Sequence, residues 1–381
     1  MTATTTPDLA AHWRESRPPA QHLYLDSAAA GRSSTAVLEA VHRHLLDEAT
    51  LGAYIAADQV GPQLDAAVAT VGELLGLPTD GVAFVESASA GRAALLAAWP
   101  FHDGDAVAVA PSEWGPNLGA FTHRGLAIRE LAVEPGGTID LDALAGMLRR
   151  HRPALVNVTP VASHRPLVQP LRAVVELCAA AGVPVWVDAA QALGHVDIAC
   201  GADAVYATSR KWLAGPRGVG VVAVAERHWR ALRSLRLDSV PAGAPPVRHL
   251  QSHEANVAGR VGLAVALEEH VGLGPDVVHR RLAAVGRLTR EALAGTVGWD
   301  VVGDLTAPVA ITALRPHDGR DVMGTRARLL EEHGIVTTAG APARAPREMT
   351  GPLLRISPHL DVTPVDLERL RDALEASAAR P

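Results

Sequence analysis

Lysine is almost missing from this chain. Of its 35 basic residues, 34 are arginine and one, Lys211, is lysine. Arginine replaces lysine at surface charges and phosphate contacts, but its guanidinium stays protonated and does not condense with an aldehyde. A primary amine does, once its pKa is lowered. A strong arginine bias would by itself leave a single lysine at a random place, so the surroundings of Lys211 must decide. Cysteine is also scarce. Cys178 and Cys200 lack C-x-x-C spacing, which argues against a disulfide framework or a zinc knuckle and makes a reducing cytoplasm the expected location. No segment reaches the roughly 18 consecutive apolar residues of a membrane span. The opening MTATTTPDLAAHWRESRPP has no uninterrupted apolar stretch of the signal-peptide kind, and residues 1–20 read as a short arm before the fold. Positive charge is in deficit too: 35 Lys+Arg against 41 Asp+Glu give a net charge of -6. That disfavours nucleic acid or an anionic membrane as partner and favours a small-molecule substrate. The 17 histidines raise the question of a metal. His249 and His253 are four apart, yet no H-E-x-x-H or Cys/His cluster accompanies them, so no metal is expected. No G-x-S-x-G elbow marks a hydrolase.

What is present is a chain of 381 residues, long enough for a large domain and a smaller one. Short apolar runs alternate with amphipathic stretches from about residue 60 to 225, the pattern of a parallel sheet with crossover helices. Strands are predicted at 82–85, 106–110, 154–158, 183–187, 204–207 and 219–223, with helices at 89–99 and 171–181, the latter closed by Gly182. Pro, Gly and Ala crowd residues 241–246, marking a loop or boundary. Beyond it, two long helices (257–270, 277–294) lead to a smaller α+β region with strands at 309–314, 335–338 and 353–357 and a closing helix at 364–378. The fold class is α/β, divided into the arm, a large domain over 21–255 and a small one over 256–381.

Ligands of open α/β sheets bind beyond the carboxyl ends of strands. In VPVWVDAAQALGH, Asp188 follows a buried strand, where a carboxylate needs a charged partner; a protonated pyridine nitrogen is one, and a plain helix cap is the alternative. Gln191 could reach the same ligand. In DAVYATSRKWLAGPRGVGVV, Thr208 and Arg210 could hold a phosphate while Lys211 reaches an aldehyde. The GPRGVG turn has no P-loop Lys-Ser/Thr. In FVESASAGRAALLAAW, a helix beginning near Ser89 offers free N–H groups to a phosphate, or is an ordinary serine cap.

Together the three segments resemble the class V aminotransferases, fold-type I pyridoxal-phosphate (PLP) enzymes that include cysteine desulfurases and isopenicillin-epimerase-like proteins. The resemblance runs nearly end to end, from LYLDSAAAGRSS through VDAAQALGH and SRKWLAGPRGVG. It implies a large domain with a mainly parallel seven-stranded sheet, a small α+β domain, and a homodimer with residues near Ser252 and Asn256 serving the neighbouring subunit. It implies Lys211 as the lysine that carries the PLP aldehyde, Asp188 as the pyridine partner and Gln191 as a donor toward the ring oxygen. Ala88 through its backbone, Ser89, Thr208 and Arg210 correspond to the phosphate cup. Trp114 falls where the family stacks a histidine on the ring. Ser163 takes an asparagine position of the desulfurases, and Arg355 aligns with the arginine that grips the substrate carboxylate.

The departures narrow the function. Desulfurases need a thiolate on a mobile loop shortly before that arginine, and VTTAGAPARAPREMTGPLLRIS has none. The wording VTPVASHRPLVQPL, EANVAGRVG and LRISPHLDVT resembles the C–S lyases of actinobacterial ergothioneine synthesis. These are PLP enzymes that cleave hercynylcysteine sulfoxide to pyruvate, ammonia and a sulfenic acid that thiols reduce to ergothioneine. Such a substrate carries a trimethylammonium group, best held by aromatic faces. Aromatics are scarce, and Tyr24, Tyr54 and Trp114 are the candidates, each equally readable as packing; His164, beside Ser163, is a further substrate candidate. Another class V activity, by amino-group transfer or desulfuration, and a non-catalytic PLP-binding protein are the alternatives.

Overall fold

Valine- and alanine-rich runs with few polar residues make strands that need cover on both faces. The computed structural model, which describes residues 6–233, 243–252, 254–317 and 319–378, sets them at the centre of the largest of three sheets. In chain order the first elements are α1 (Thr6–Glu15), β1 (Leu23–Tyr24), α2 (Thr35–Leu51), α3 (Ala53–Gln59) and α4 (Gly61–Leu75). The alternating part follows: β2 (Val82–Val85), α5 (Ala88–Ala98), β3 (Ala106–Val109), α6 (Gly115–His123), β4 (Ala127–Glu130), α7 (Leu141–Arg150), β5 (Leu155–Val158), α8 (Leu171–Ala181), β6 (Val185–Asp188), β7 (Ala204–Thr208) and β8 (Gly220–Val224). The C-terminal part holds α9 (Val257–Leu273), α10 (Pro275–Leu293), β9 (Trp299–Val302), β10 (Thr312–Pro316), α11 (Val322–Glu331), β11 (Ile335–Val336), β12 (Thr338–Gly340), β13 (Leu353–Ile356) and α12 (Pro364–Ala378).

The seven-stranded sheet has the order β2-β8-β7-β6-β5-β3-β4. Every pairing in it is parallel except those of β8, which runs against β2 and β7. The carboxyl ends of the other six strands therefore share one edge. A four-stranded antiparallel sheet, β12-β13-β10-β9, forms the smaller C-terminal domain. The mainly parallel seven-stranded sheet and the smaller C-terminal domain are as expected.

The differences have local causes. Strand β4 was not foreseen because AIRE, at the sheet edge, is largely half-buried or exposed and forms no apolar run. Helices α2, α3 and α4 also went unassigned. The strand expected at 309–314 begins at Thr312 instead. The carbonyls of Leu305, Ala307, Val309 and Ile311 accept hydrogen bonds from the buried Arg290 guanidinium, which draws that segment away from strand pairing. The single strand expected at 335–338 switches sheets: β11 pairs with β1, and β12 with β13. Within the expected arm, α1 is docked by Leu9 and by Trp13, whose ring stacks 3.8 Å from that of His359. His253 and residues 241 and 242 of the expected loop lie outside the described residues.

Gly286 of α10 packs so closely on this irregular segment that a Cβ there would lie 1.9 Å from the Val309 carbonyl oxygen. Gly286→Ala should destabilise the fold by about 1–3 kcal/mol. Gly272→Ala on α9, with nothing within 4 Å, should be neutral or slightly stabilising. Paired thermal melts followed by circular dichroism will check the contrast.

Candidate active site

Strand ends and the turns after them converge on a cavity of about 490 Å³. Ala88, Ser89, Trp114, Ser163, Asp188, Gln191, Thr208, Arg210, Lys211 and Arg355, all singled out from sequence, line it together. Two grooves are larger, about 670 and 680 Å³, but neither contains a lysine. Chemistry rather than volume identifies the site.

The β2–α5 turn supplies the anion-binding end. The helix cap is Ser87, not Ser89: its Oγ accepts the Ala90 N–H at 3.1 Å, and Ala88 and Ser89 occupy the first turn. Gly220, opening β8, sits against this turn, and a Cβ there would lie 2.8 Å from the Ser87 carbonyl carbon. Thr208 ends β7, and Arg210 follows two residues later, so helix N–H groups, hydroxyls and a guanidinium are available to one phosphate.

Lys211 is half-buried in the turn after β7. Burial pushes its pKa down to about 7, opposed by the Asp188 charge and assisted by Arg210, Arg355 and Arg344. An amine so placed is about half neutral at pH 7, and the neutral form is the one that attacks an aldehyde or takes a proton. The opening of the fold braces this turn: Gly31 N–H donates to the Arg210 carbonyl at 2.6 Å, and a Cβ on Gly31 would lie 2.3 Å from the Lys211 carbonyl oxygen.

Asp188 is the last residue of β6 rather than the one after it, and is 4 % exposed. Its Oδ1 accepts the Ala190 N–H at 2.9 Å, so the cap reading holds for that oxygen. Its Oδ2 accepts from Asn117 Nδ2 at 2.7 Å and still lines the cavity. Gln191 donates one amide hydrogen to the Ala28 carbonyl and accepts from Trp212 Nε1, both at 2.9 Å, which leaves its second amide hydrogen for a ligand. Trp114 precedes α6 and borders the cavity half-buried. Arg355 on β13 is fixed by the Ser163 carbonyl (2.8 Å), Asp26 (3.2 Å) and Thr338 (3.4 Å).

The remaining candidates fall outside the cavity. Tyr24 spends its hydroxyl on the Ala30 carbonyl at 2.5 Å and borders a groove beside α1. His164 faces Glu348 at 3.1 Å in the other groove. Tyr54 is 87 % exposed on α3. Asn256 caps α9 through the Gly259 N–H, with Ser252 just before it. Sequence reasoning missed Asn117, Thr159, Tyr206 and Arg344, which line the cavity, and Glu113 behind it. Glu113 carried the signal used for Asp188, a carboxylate just beyond a buried strand. Arg344 carried none, since nothing in its loop shows which way it faces.

A phosphorylated pyridine aldehyde fits these residues: an anion cup, a half-buried amine of lowered proton affinity, and a cavity-lining carboxylate held by two donors. Among the described residues no group of three or more His, Cys, Asp or Glu gathers as a metal site, and no helix is long and apolar enough to cross a membrane.

Comparison with known proteins gives the same direction. The profile described as aminotransferase class-V matches residues 23–370. The chain is 46% identical over 374 residues to a probable hercynylcysteine sulfoxide lyase of Mycobacterium tuberculosis, covering 97% of this chain and 94% of that one. It is 32% identical over 281 residues to an isopenicillin N epimerase of Amycolatopsis lactamdurans, covering 66% of this chain and 68% of that one. In structure it resembles a cysteine desulfurase of Thermococcus onnurineus with a TM-score of 0.83, covering 94% of both chains at 19% identity, a likeness of fold.

Because only the neutral amine condenses, the rate at which the apo form takes up PLP should fall about tenfold per pH unit below about pH 7 and level off above it. Stopped-flow absorbance measures this, and Lys211→Ala should leave no borohydride-fixed cofactor at any pH.

Proposed function

The chain belongs to the aminotransferase class V family, and on that premise we propose that it is a PLP-dependent carbon–sulfur lyase that cleaves hercynylcysteine sulfoxide. The products are pyruvate, ammonia and a sulfenic acid, which two-electron reduction by a thiol converts to ergothioneine. The observation that carries this reading is the loop over the cavity. Residues 341–344 border the site with Arg344 and no thiol, and the two cysteines are elsewhere, Cys178 buried on α8 and Cys200 half-buried. Attack of an enzyme thiolate on sulfur has no agent here, whereas proton removal at Cα has one. The 46% likeness to the mycobacterial protein over nearly the whole chain supports the same choice.

When bound, the cofactor supplies an electron sink for charge developing at Cα. The chain does the rest. Arg355, aligned by Ser163, Asp26 and Thr338, grips the α-carboxylate and so orients the Cα–H bond. Lys211, with its amine near pH 7 in proton affinity, removes the Cα proton. Asp188 would hold the cofactor's ring nitrogen in its protonated form. The Cβ–S bonding pair leaves with sulfur, for which a sulfoxide is a better leaving group than a thioether, and the three-carbon remainder hydrolyses to pyruvate and ammonia.

Charge in the cavity supports a substrate with a second anionic group. Three arginines and a lysine face one ionisable carboxylate, Asp188. Arg210 suits the phosphate and Arg355 the α-carboxylate, which leaves Arg344 for a further carboxylate, such as the one on the betaine arm of the hercynyl group. The exposed apolar residues Leu38, Leu45, Leu46, Leu51, Tyr54 and Ile55 on α2 and α3 support a homodimer, in which they would be covered. The reducing location implied by two unpaired cysteines supports a cytoplasmic enzyme.

Purified holoenzyme given hercynylcysteine sulfoxide with a thiol should release pyruvate and ergothioneine in equal amounts, read by a dehydrogenase-coupled assay and by chromatography. Amino-group transfer without pyruvate, or no turnover, would remove this assignment. Arg344→Ala should raise KM for that substrate by about ten- to a hundredfold, the loss of one charge-assisted contact. Its kcat should stay within about threefold, and KM for S-methylcysteine sulfoxide, which has no second carboxylate, should not move.

A further inference from the structure

Glu113 is 1 % exposed and has no part in the reaction outlined above. It stands between β3 and α6, at the edge where the parallel strands end. Its Oε1 accepts from the Trp114 N–H at 2.9 Å, Thr159 Oγ1 at 2.8 Å and Asn117 Nδ2 at 2.7 Å, and its Oε2 from Asn157 Nδ2 at 3.0 Å. The same Asn117 Nδ2 donates to Asp188 Oδ2 at 2.7 Å, so a single amide joins two buried carboxylates. Arg92 donates to Asn117 Oδ1 and thereby fixes which end of that amide faces them.

Two carboxylates face the Arg92 guanidinium and Lys211, whose proton the Asp188 charge helps to hold; once that amine is neutral one negative charge is left uncompensated, and burial with the nearby Asp188 pushes Glu113 up to about 7. A protonated ring nitrogen held by Asp188 would supply the compensating positive charge. The other titratable group facing Glu113 is Tyr206, reached through Asn157, to which its hydroxyl donates at 3.0 Å. We propose that Glu113 is a positioning residue whose charge, held beside Asp188, makes the cofactor ring nitrogen keep its proton. This rests on the reading of Asp188 as the ring partner. Ionised Glu113 adds negative potential at that nitrogen and raises its proton affinity. Asn117 works against it, because the hydrogen bond it gives Asp188 weakens that carboxylate as an acceptor.

The two variants therefore act in opposite directions, which a merely loosened site would not produce. With holoenzyme carrying ring-¹⁵N-labelled PLP, the ring nitrogen resonance is followed against pH. In Glu113→Gln the nitrogen should lose its proton about one pH unit lower than in the wild type, a tenfold loss of proton affinity. In Asn117→Ala it should lose it higher. As a second measurement, exchange of the bound cofactor against its 1-deaza analogue, which has no ring nitrogen to protonate, should shift about tenfold toward the analogue in Glu113→Gln and away from it in Asn117→Ala. Movement of both variants in the same direction, or of neither, overturns the proposal. If one variant does not fold, the direction found in the other decides. A wild-type chain that takes up no PLP at all would instead refute the cofactor reading on which the proposal stands.

Discussion

Where the parallel strands end, Asp188 and Glu113 are buried and Lys211 is half-buried, so the ionisable groups there answer to one another as well as to solvent. Lys211 sits among arginines and gives up its proton near pH 7, while Asp188 keeps two hydrogen-bond donors and an open face. In water these would be an ordinary ammonium and an ordinary carboxylate, of no use to each other at a distance. Partial burial among fixed charges makes one a base and suits the other to hold positive charge, and the rest of the molecule can be understood as maintaining that arrangement.

The opening of the chain and its C-terminal part both serve that purpose. Asp26 accepts from Arg355 and Thr338 and forms a parallel bridge with Ser357, so residues more than 300 positions apart close one wall. Ala28 accepts from Gln191, and the chain then passes Gly31 against the Lys211 turn. That turn contains Ala214, the one non-glycine residue with positive φ among those described (53°), a conformation that costs energy and persists where neighbours hold it. On the floor, Trp212 joins Gln191 by a hydrogen bond and stacks with His195, and His359 bonds the Trp212 carbonyl beneath Trp13. The cofactor end of the site thus depends on α1 and on the segment before α12.

The sheet and the cavity residues Ser89, Asp188, Gln191, Thr208, Arg210 and Lys211 were legible because their signals are local, an apolar run followed by polar or small residues at its carboxyl end, whereas Ala88, Trp114, Ser163 and Arg355 came from the family resemblance. A lone lysine in such a place needs no tertiary information. What stayed hidden depends on where a side chain points or on what crosses in space. Arg290 reaches four carbonyls and thereby delays β10, which no window of sequence shows. The switch of the chain from β11 to β12 is decided by which neighbours are free, not by the IVTTAG residues themselves. Tyr24 was plausible as a ligand contact because it is one of few aromatics, and His164 because it adjoins Ser163, but each found a closer partner. Glu113 and Asn117, four apart and flanking the noticed Trp114, were readable in principle; their meaning needed Asp188, some 70 residues on, to be brought to 2.7 Å.

The loop after β12 explains how a scaffold shared with desulfurases suits elimination. An enzyme that attacks sulfur with its own thiolate must carry that group toward the substrate and away again. One that removes a proton with a fixed lysine needs a closed, static wall. Here the wall is anchored twice. Glu348 pairs with Arg165 and His164 of the large domain, and the Ala343 carbonyl lies where a Cβ on Gly115 would be 2.1 Å away, so only glycine at the start of α6 permits the approach. This places Arg344 over the cavity without a hydrogen bond to another side chain in its own loop. A guanidinium there adds to the field that lowers the proton affinity of Lys211 and, on the reading proposed, receives the far end of the substrate. Positive charge fixed above the site lowers the proton affinity of the base and completes the binding surface at once.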